Sequence, residues 1–164
     1  MDATSRPVRS RFGRRKFDKQ PTQSASVLIA SLGEAIPRSA IKRSVGLSMG
    51  QPVAVVTIAR IYGSSFGLPN PGLMPTRKEM DEQKGHVEAT IAALEKLGSE
   101  AWGQVAASRR PAKTIAQAAK ARGVRHVIVV RPELARWREV VEGNIVKDIS
   151  RKLGSAVEVE GVSP

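Results

Sequence analysis

Arginine is the side chain whose abundance and spacing in this sequence could do chemistry. Between Arg109 and Arg138, nine basic residues accompany a single acid, Glu133. A guanidinium fork grips a phosphate or carboxylate through two parallel N–H bonds. Several forks at one edge of a fold would therefore make an anion site. The candidates are Arg38, Arg109, Arg110, Arg131 and Arg136. The competing reading is that they solvate surface loops or pair with Glu34 and Glu133. A second cluster, Arg11, Arg14, Arg15 and Lys16, interleaves with Phe12 and Phe17. Such an arm can neutralise phosphates while its rings stack on bases, or it can simply solubilise the end of the chain. Other chemistries lack their residues. There is no Cys, which excludes disulfides, thiolate zinc sites and cysteine nucleophiles. His86 and His126 have no partners at metal-ligand spacing. The chain contains no Gly-x-x-x-x-Gly-Lys-Ser/Thr loop, no His-Glu-x-x-His and no Gly-x-Ser-x-Gly. No catalytic residue or metal ligand is assigned, and an enzyme is not expected.

The elements that position these residues follow from composition and pattern. At 164 residues the chain suits one domain, and with 41% hydrophobic residues it can build a core. Aromatics are only 4%, so that core must be aliphatic. Lys and Arg total 27 against 15 Asp and Glu, a formal charge of +12. That excess favours an anionic partner. No apolar run approaches the roughly 20 residues of a membrane span, and no secretory apolar region occurs. The expectation is a cytoplasmic protein without a membrane span. An Arg-rich start also suits an organellar transit peptide, against which Asp2 and Asp18 argue.

Residues 1–24 hold seven of the basic residues and two acids, with no apolar period. They are expected to be a basic disordered tail, and residues 25–164 a single domain. Val27–Ala30, Val53–Ala59 and Val127–Val130 are apolar runs of buried-strand type. Trp102–Ala107 is a weaker candidate strand because of Gly103, and Ala156–Val159 a short last one. Between them lie helical patterns. Pro37 opens one with Ala40, Ile41, Val45 and Met49 inward. Thr76 and Glu79 have capping-box spacing ahead of a helix running to Leu97. Pro111 to Gly123 bounds another, and Trp137, Val141, Ile145, Ile149 and Leu153 recur every four residues, with Gly143 as a possible break. Strands alternating with helices predict an α/β fold: an open, mostly parallel five-stranded sheet with helices on both faces. Ligands of such sheets bind outside the carboxyl ends of the strands, where strand order reverses. In that arrangement Arg38, Arg109, Arg110, Arg131 and Arg136 fall at the carboxyl edge. Lys120, Arg122 and Arg125 fall at the opposite side.

Val27-Leu28-Ile29-Ala30-Ser31-Leu32-Gly33, the stretch Pro111–Val130, and Gly143-Asn144-Ile145-Val146 resemble the first strand, the third helix with its following strand, and the last phosphate turn of the universal stress protein family. Trp137-Arg138-Glu139 is similar to the stress-protein-like domain of potassium-sensing kinases. The resemblance covers about residues 26–160. It implies an adenine-nucleotide crevice built from an acidic residue after the first strand, a Gly-x-x-Gly pair after the fourth, and a later Gly followed by Ser or Thr. Here Leu32 takes the acidic position and Arg131-Pro132-Glu133-Leu134 replaces the glycine pair. Gly33, Arg131, Gly143 and Asn144 are what remains of a cofactor site. Glycines let backbone N–H groups approach phosphates, and Pro132 removes one such donor. Ordinary ATP binding is therefore not expected, and no cofactor is assigned. The resemblance implies a non-catalytic regulatory module docking on a macromolecular partner. Homodimers would form through the last strand at Val157-Glu158-Val159, a pairing that Glu158 opposes in part. Two alternatives stay open: a nucleic-acid or ribosome-associated protein using the tail and the arginine-rich crevice, and an ATP-binding stress protein. Trp102 and Trp137 are expected to be core or interface anchors.

Overall fold

The computed structural model describes residues 23–61, 74–131 and 144–163. The apolar runs become parallel strands β1 (Val27–Ser31), β2 (Val53–Arg60), β3 (Ala101–Ser108), β4 (His126–Val130) and β5 (Glu158–Val162). Helices α1 (Arg38–Ser48), α2 (Arg77–Lys96), α3 (Pro111–Arg122) and α4 (Ile145–Leu153) alternate with them. The strand order is β3-β2-β1-β4-β5. Every pairing is parallel, with Val27 opposite Val53 on one side and His126 on the other. This is the α/β architecture that the alternation predicts.

Both faces of the sheet are covered, so its central strands are apolar at every position rather than at alternate ones. Val27, Ile29, Val53, Val55, Ile128 and Val130 pack under Ala40 and Ile41 of α1 and Val87, Ile91 and Leu94 of α2. Leu28, Ala30, Ala54, Val56, Ile58, Val127 and Val129 pack under Ile115, Ala118 and Ala119 of α3 and Ile149 of α4. The order reverses between β1 and β4, so the switch point lies at their carboxyl ends.

Local signals set several boundaries. Thr76 caps α2 in a full capping box with Glu79. Pro111 occupies the first turn of α3, and Gly123 ends that helix in a left-handed conformation. Three expectations need correction. Met49 does not face inward: α1 closes at Ser48, whose hydroxyl donates to the Val45 carbonyl, and Met49 follows in a left-handed conformation, 83% exposed. The last strand starts at Glu158 rather than Ala156, because residues 154–157 are used in turning out of α4 before Glu158 N–H reaches the Arg125 carbonyl. Gly103 does not weaken β3. A Cβ there would lie 2.3 Å from Val87 Cγ1 and 3.1 Å from the Val55 carbonyl oxygen, so the missing side chain is what lets α2 sit down on the sheet. The expected inward positions Trp137 and Val141, the break at Gly143, and residues 1–22 of the tail lie outside the described residues.

Gly103→Ala should destabilise the fold by about 1–3 kcal/mol in urea unfolding, as overpacking does. Because the two sites touch, combining it with Val87→Ala should cost less than the sum of the single changes. Glu79 accepts the Thr76 backbone N–H and hydroxyl, which holds its carboxyl below the ordinary carboxylate value. The stabilisation from this cap is complete above the unfolded-state pKa of about 4.3 and is lost as pH falls through the lowered folded value. Glu79→Gln should remove that contribution to acid-side loss, as read by thermal unfolding between about pH 3 and 6, whereas Thr76→Ala, which keeps the backbone N–H donor, should remove only part of it.

Candidate anion site at the carboxyl edge

At the switch point β1 runs into Leu32, which is only 9% exposed and belongs to the core. An acid in that position would face the same burial; the leucine contributes packing instead of a polar contact. The next residue, Gly33, has φ +111°, and its carbonyl accepts a hydrogen bond from Gln83 Nε2 at 3.0 Å. Ser31 Oγ donates to the Glu34 carbonyl. The turn after β1 is thus tied to α2. Two buried oxygens near it, Thr57 Oγ1 and Gln83 Oε1, have no hydrogen-bond partner among the described residues. The reading from sequence missed Gln83. Its signal was a polar residue on the stripe Met80–Val87–Ile91–Leu94.

Across the switch point, Arg131 N–H bonds to the Val162 carbonyl at 2.9 Å and extends the β4–β5 ladder. Its side chain then lies over Gly161. A Cβ at Gly161 would be 3.0 Å from Arg131 Nε, 3.1 Å from its Cδ and 3.0 Å from Val146 Cγ2. The guanidinium stem is therefore wedged between β5 and the first turn of α4. Arg131 Nε is buried without a partner among the described residues. Asn144 caps α4, its side-chain oxygen accepting the Lys147 N–H at 3.2 Å. A helix start carries partial positive charge. Arg131 places a full positive charge beside it, and a phosphate or carboxylate there would be attracted by both.

The other candidates divide. Arg38 is the first residue of α1 and is exposed. Arg109 and Arg110 follow β3, the outer strand, three strand spacings from β4; at ~4.8 Å each that is roughly 14 Å. Ser108 Oγ accepts the Arg110 N–H at 3.0 Å and lies 2.7 Å from Thr114 Oγ1, so these residues organise the start of α3. Arg136 and Gly143, like Arg11, Arg14, Arg15 and Lys16, lie outside the described residues. Arg122 leaves the surface: it is 3% exposed, donating to the Ala118 carbonyl and to Gln104 Oε1. Desolvation lowers its pKa from the ordinary arginine value. The two histidines meet acids, His126 Nδ1 at 3.1 Å from Glu158 and His86 Nε2 at 4.0 Å from Glu82. Among the described residues no three His, Asp or Glu gather at metal-binding spacing, and no helix is long and apolar enough to cross a membrane. Trp102 is a core residue, 7% exposed. A cleft of about 370 Å³ borders β5, lined by Arg43, His126, Ser155 and Glu158 among others. Glu160 of the same strand is held by Arg43 at 2.9 Å, so charges already engaged in ion pairs mark this sheet edge.

Arg131→Met keeps the stem over Gly161 and removes the buried nitrogen. It should leave the fold intact or firmer by up to about 1 kcal/mol. It should also abolish any extra thermal stabilisation by sulfate over chloride at equal ionic strength, which differential scanning fluorimetry would detect.

No protein-family model matches the sequence, and no curated protein matches it. Solved structures do resemble the fold. A universal stress protein from Archaeoglobus fulgidus is 14% identical with a TM-score of 0.59, the match covering 84% of this chain and 93% of that one. A protein of the universal stress protein family from Burkholderia pseudomallei is 11% identical with a TM-score of 0.58, over 84% and 96%. The Archaeoglobus fulgidus universal stress protein in complex with dAMP is 13% identical with a TM-score of 0.55, over 83% and 96%. The strand order, the parallel pairing and these likenesses agree: the chain has the universal stress protein fold.

Proposed function

We propose that the protein is a non-catalytic binding module on the universal stress protein fold, whose crevice no longer holds ATP by main-chain contacts and whose partner is a macromolecule. The observation that carries this reading is the packing of Arg131. Its stem fills the space between Gly161 and Val146 at the end of β4, beside the helix start where a bare glycine turn would bring N–H groups to a triphosphate. Leu32, buried after β1, has no polar side-chain atom to offer a nucleoside. The crevice can still attract an anionic group through Arg131 and the α4 terminus. The dAMP complex of a structural neighbour makes a nucleoside monophosphate the most demanding competitor to include.

Isothermal titration and thermal shift with ATP, ADP and AMP test the reading. A site with ligand at a hundredfold excess over Kd gains about 2.7 kcal/mol, which for a domain of this size raises Tm by about 5–10 °C. The expected result is a shift under about 1 °C at millimolar nucleotide. Saturable binding of ATP, lost in Asn144→Pro, would overturn the proposal.

A further inference from the structure

The charge of this domain is unevenly divided between its two helix layers, and we infer that the α3/α4 face binds the phosphate backbone of duplex nucleic acid. The inference rests on the binding-module reading and names the partner. α3 contains no acid, and its exposed side carries Lys113 and Lys120. α4 packs against α3 and exposes Lys147, Arg151 and Lys152. Its one acid, Asp148, is half-buried and engaged by Arg151 at 2.9 Å. Arg109, Arg110 and Arg125 are exposed at the two ends of α3. The opposite layer is mixed: α2 alone carries Glu79, Asp81, Glu82, Glu88 and Glu95 among its cations.

Three further observations specify the partner. First, Arg122 is buried beneath this face with no carboxylate among its hydrogen-bond partners. Its charge adds to the outward field, and within a Debye length of about 8–10 Å it is felt at the surface. Second, Ala25 N–H bonds to the Arg122 carbonyl at 3.1 Å, and Ala25 belongs to the core beneath α3. The segment before it, with seven cations and two acids, is therefore joined to the protein at the end of this face. Third, the face lacks what other anionic partners need. The large exposed apolar residues among those described are Met49, Met74 and Leu97, at the ends of α1 and α2. A lipid surface would want an apolar wedge, and a protein partner an apolar centre. The described aromatic residue is Trp102, which is buried, so the described part of this face offers no ring on which single-stranded bases could stack. Two helices of cations without apolar or aromatic anchors suit regularly spaced backbone phosphates and sequence-independent contact.

The test is fluorescence anisotropy of the full chain with a labelled 20-base-pair duplex at several salt concentrations. One variant changes Lys113, Lys120, Lys147 and Lys152 to Gln. A control changes Lys42, Arg77, Lys78 and Lys84 to Gln, with the same loss of charge on the other layer. Circular dichroism confirms that both fold. The face variant should bind at least about tenfold more weakly, with the slope of log K against log salt reduced by about three to four; the control should stay within about threefold of wild type. Equal losses in the two variants would overturn the surface, and so would tighter binding to phosphatidylserine vesicles, polyglutamate or a single-stranded oligonucleotide than to the duplex. A wild type that ignores the duplex and also gives no nucleotide shift sinks this surface alone. Duplex binding that ATP abolishes in wild type and face variant alike, with saturable ATP uptake, sinks the binding-module reading instead.

Discussion

The double pairing of β1 governs the rest of the molecule. β1 is hydrogen-bonded to β2 on one side and β4 on the other, and all five of its residues are buried. A parallel strand in the middle of a sheet needs crossovers that cover both faces. Its odd positions call for α1 and α2 above and its even positions for α3 and α4 below. The reversal of strand order on either side of β1 then opens the crevice at its carboxyl end. Both the candidate site and the two helix layers follow from this one arrangement.

Close packing sets the described wall of that crevice. Gly161 permits Arg131 to lie flat between β5 and α4. The result sets a positive side chain against the positive end of a helix, a contact that is unfavourable in isolation and favourable once an anion sits there. The same principle of close approach appears at Gly103, where α2 rests on β3. In both places the absence of a side chain is required by the group packed above the strand.

The surface has its own logic. The ion pairs Arg43–Glu160 and His126–Glu158 engage the acids of β5 at its edge. The acids of α2 are interspersed with bases. The α3/α4 layer is left with cations that have few local partners. An excess of like charge on one face costs stability by self-repulsion, and a bound polyanion relieves it.

The sequence by itself determined the architecture. Apolar runs of β-branched residues, the Thr76–Glu79 cap, Pro111 and Gly123 are local signals, and each carries its physical cause in its neighbours along the chain. The alternation of strands with long helices then permitted few topologies. Tertiary structure decided what depends on residues distant in sequence. Arg122 reads as a surface cation at the end of a helix, and only its position against Gln104 of β3 shows it to be buried. Arg109, Arg110 and Arg131 read as one group until the strand order separates β3 from β4. Gly103 reads as a weak strand residue until α2 is placed above it, and Gly161 carries no signal at all until Arg131 is placed over it. Periodicity records which side of an element faces a core; it does not record which side chain from another element arrives there, because that is settled by packing among all the layers at once.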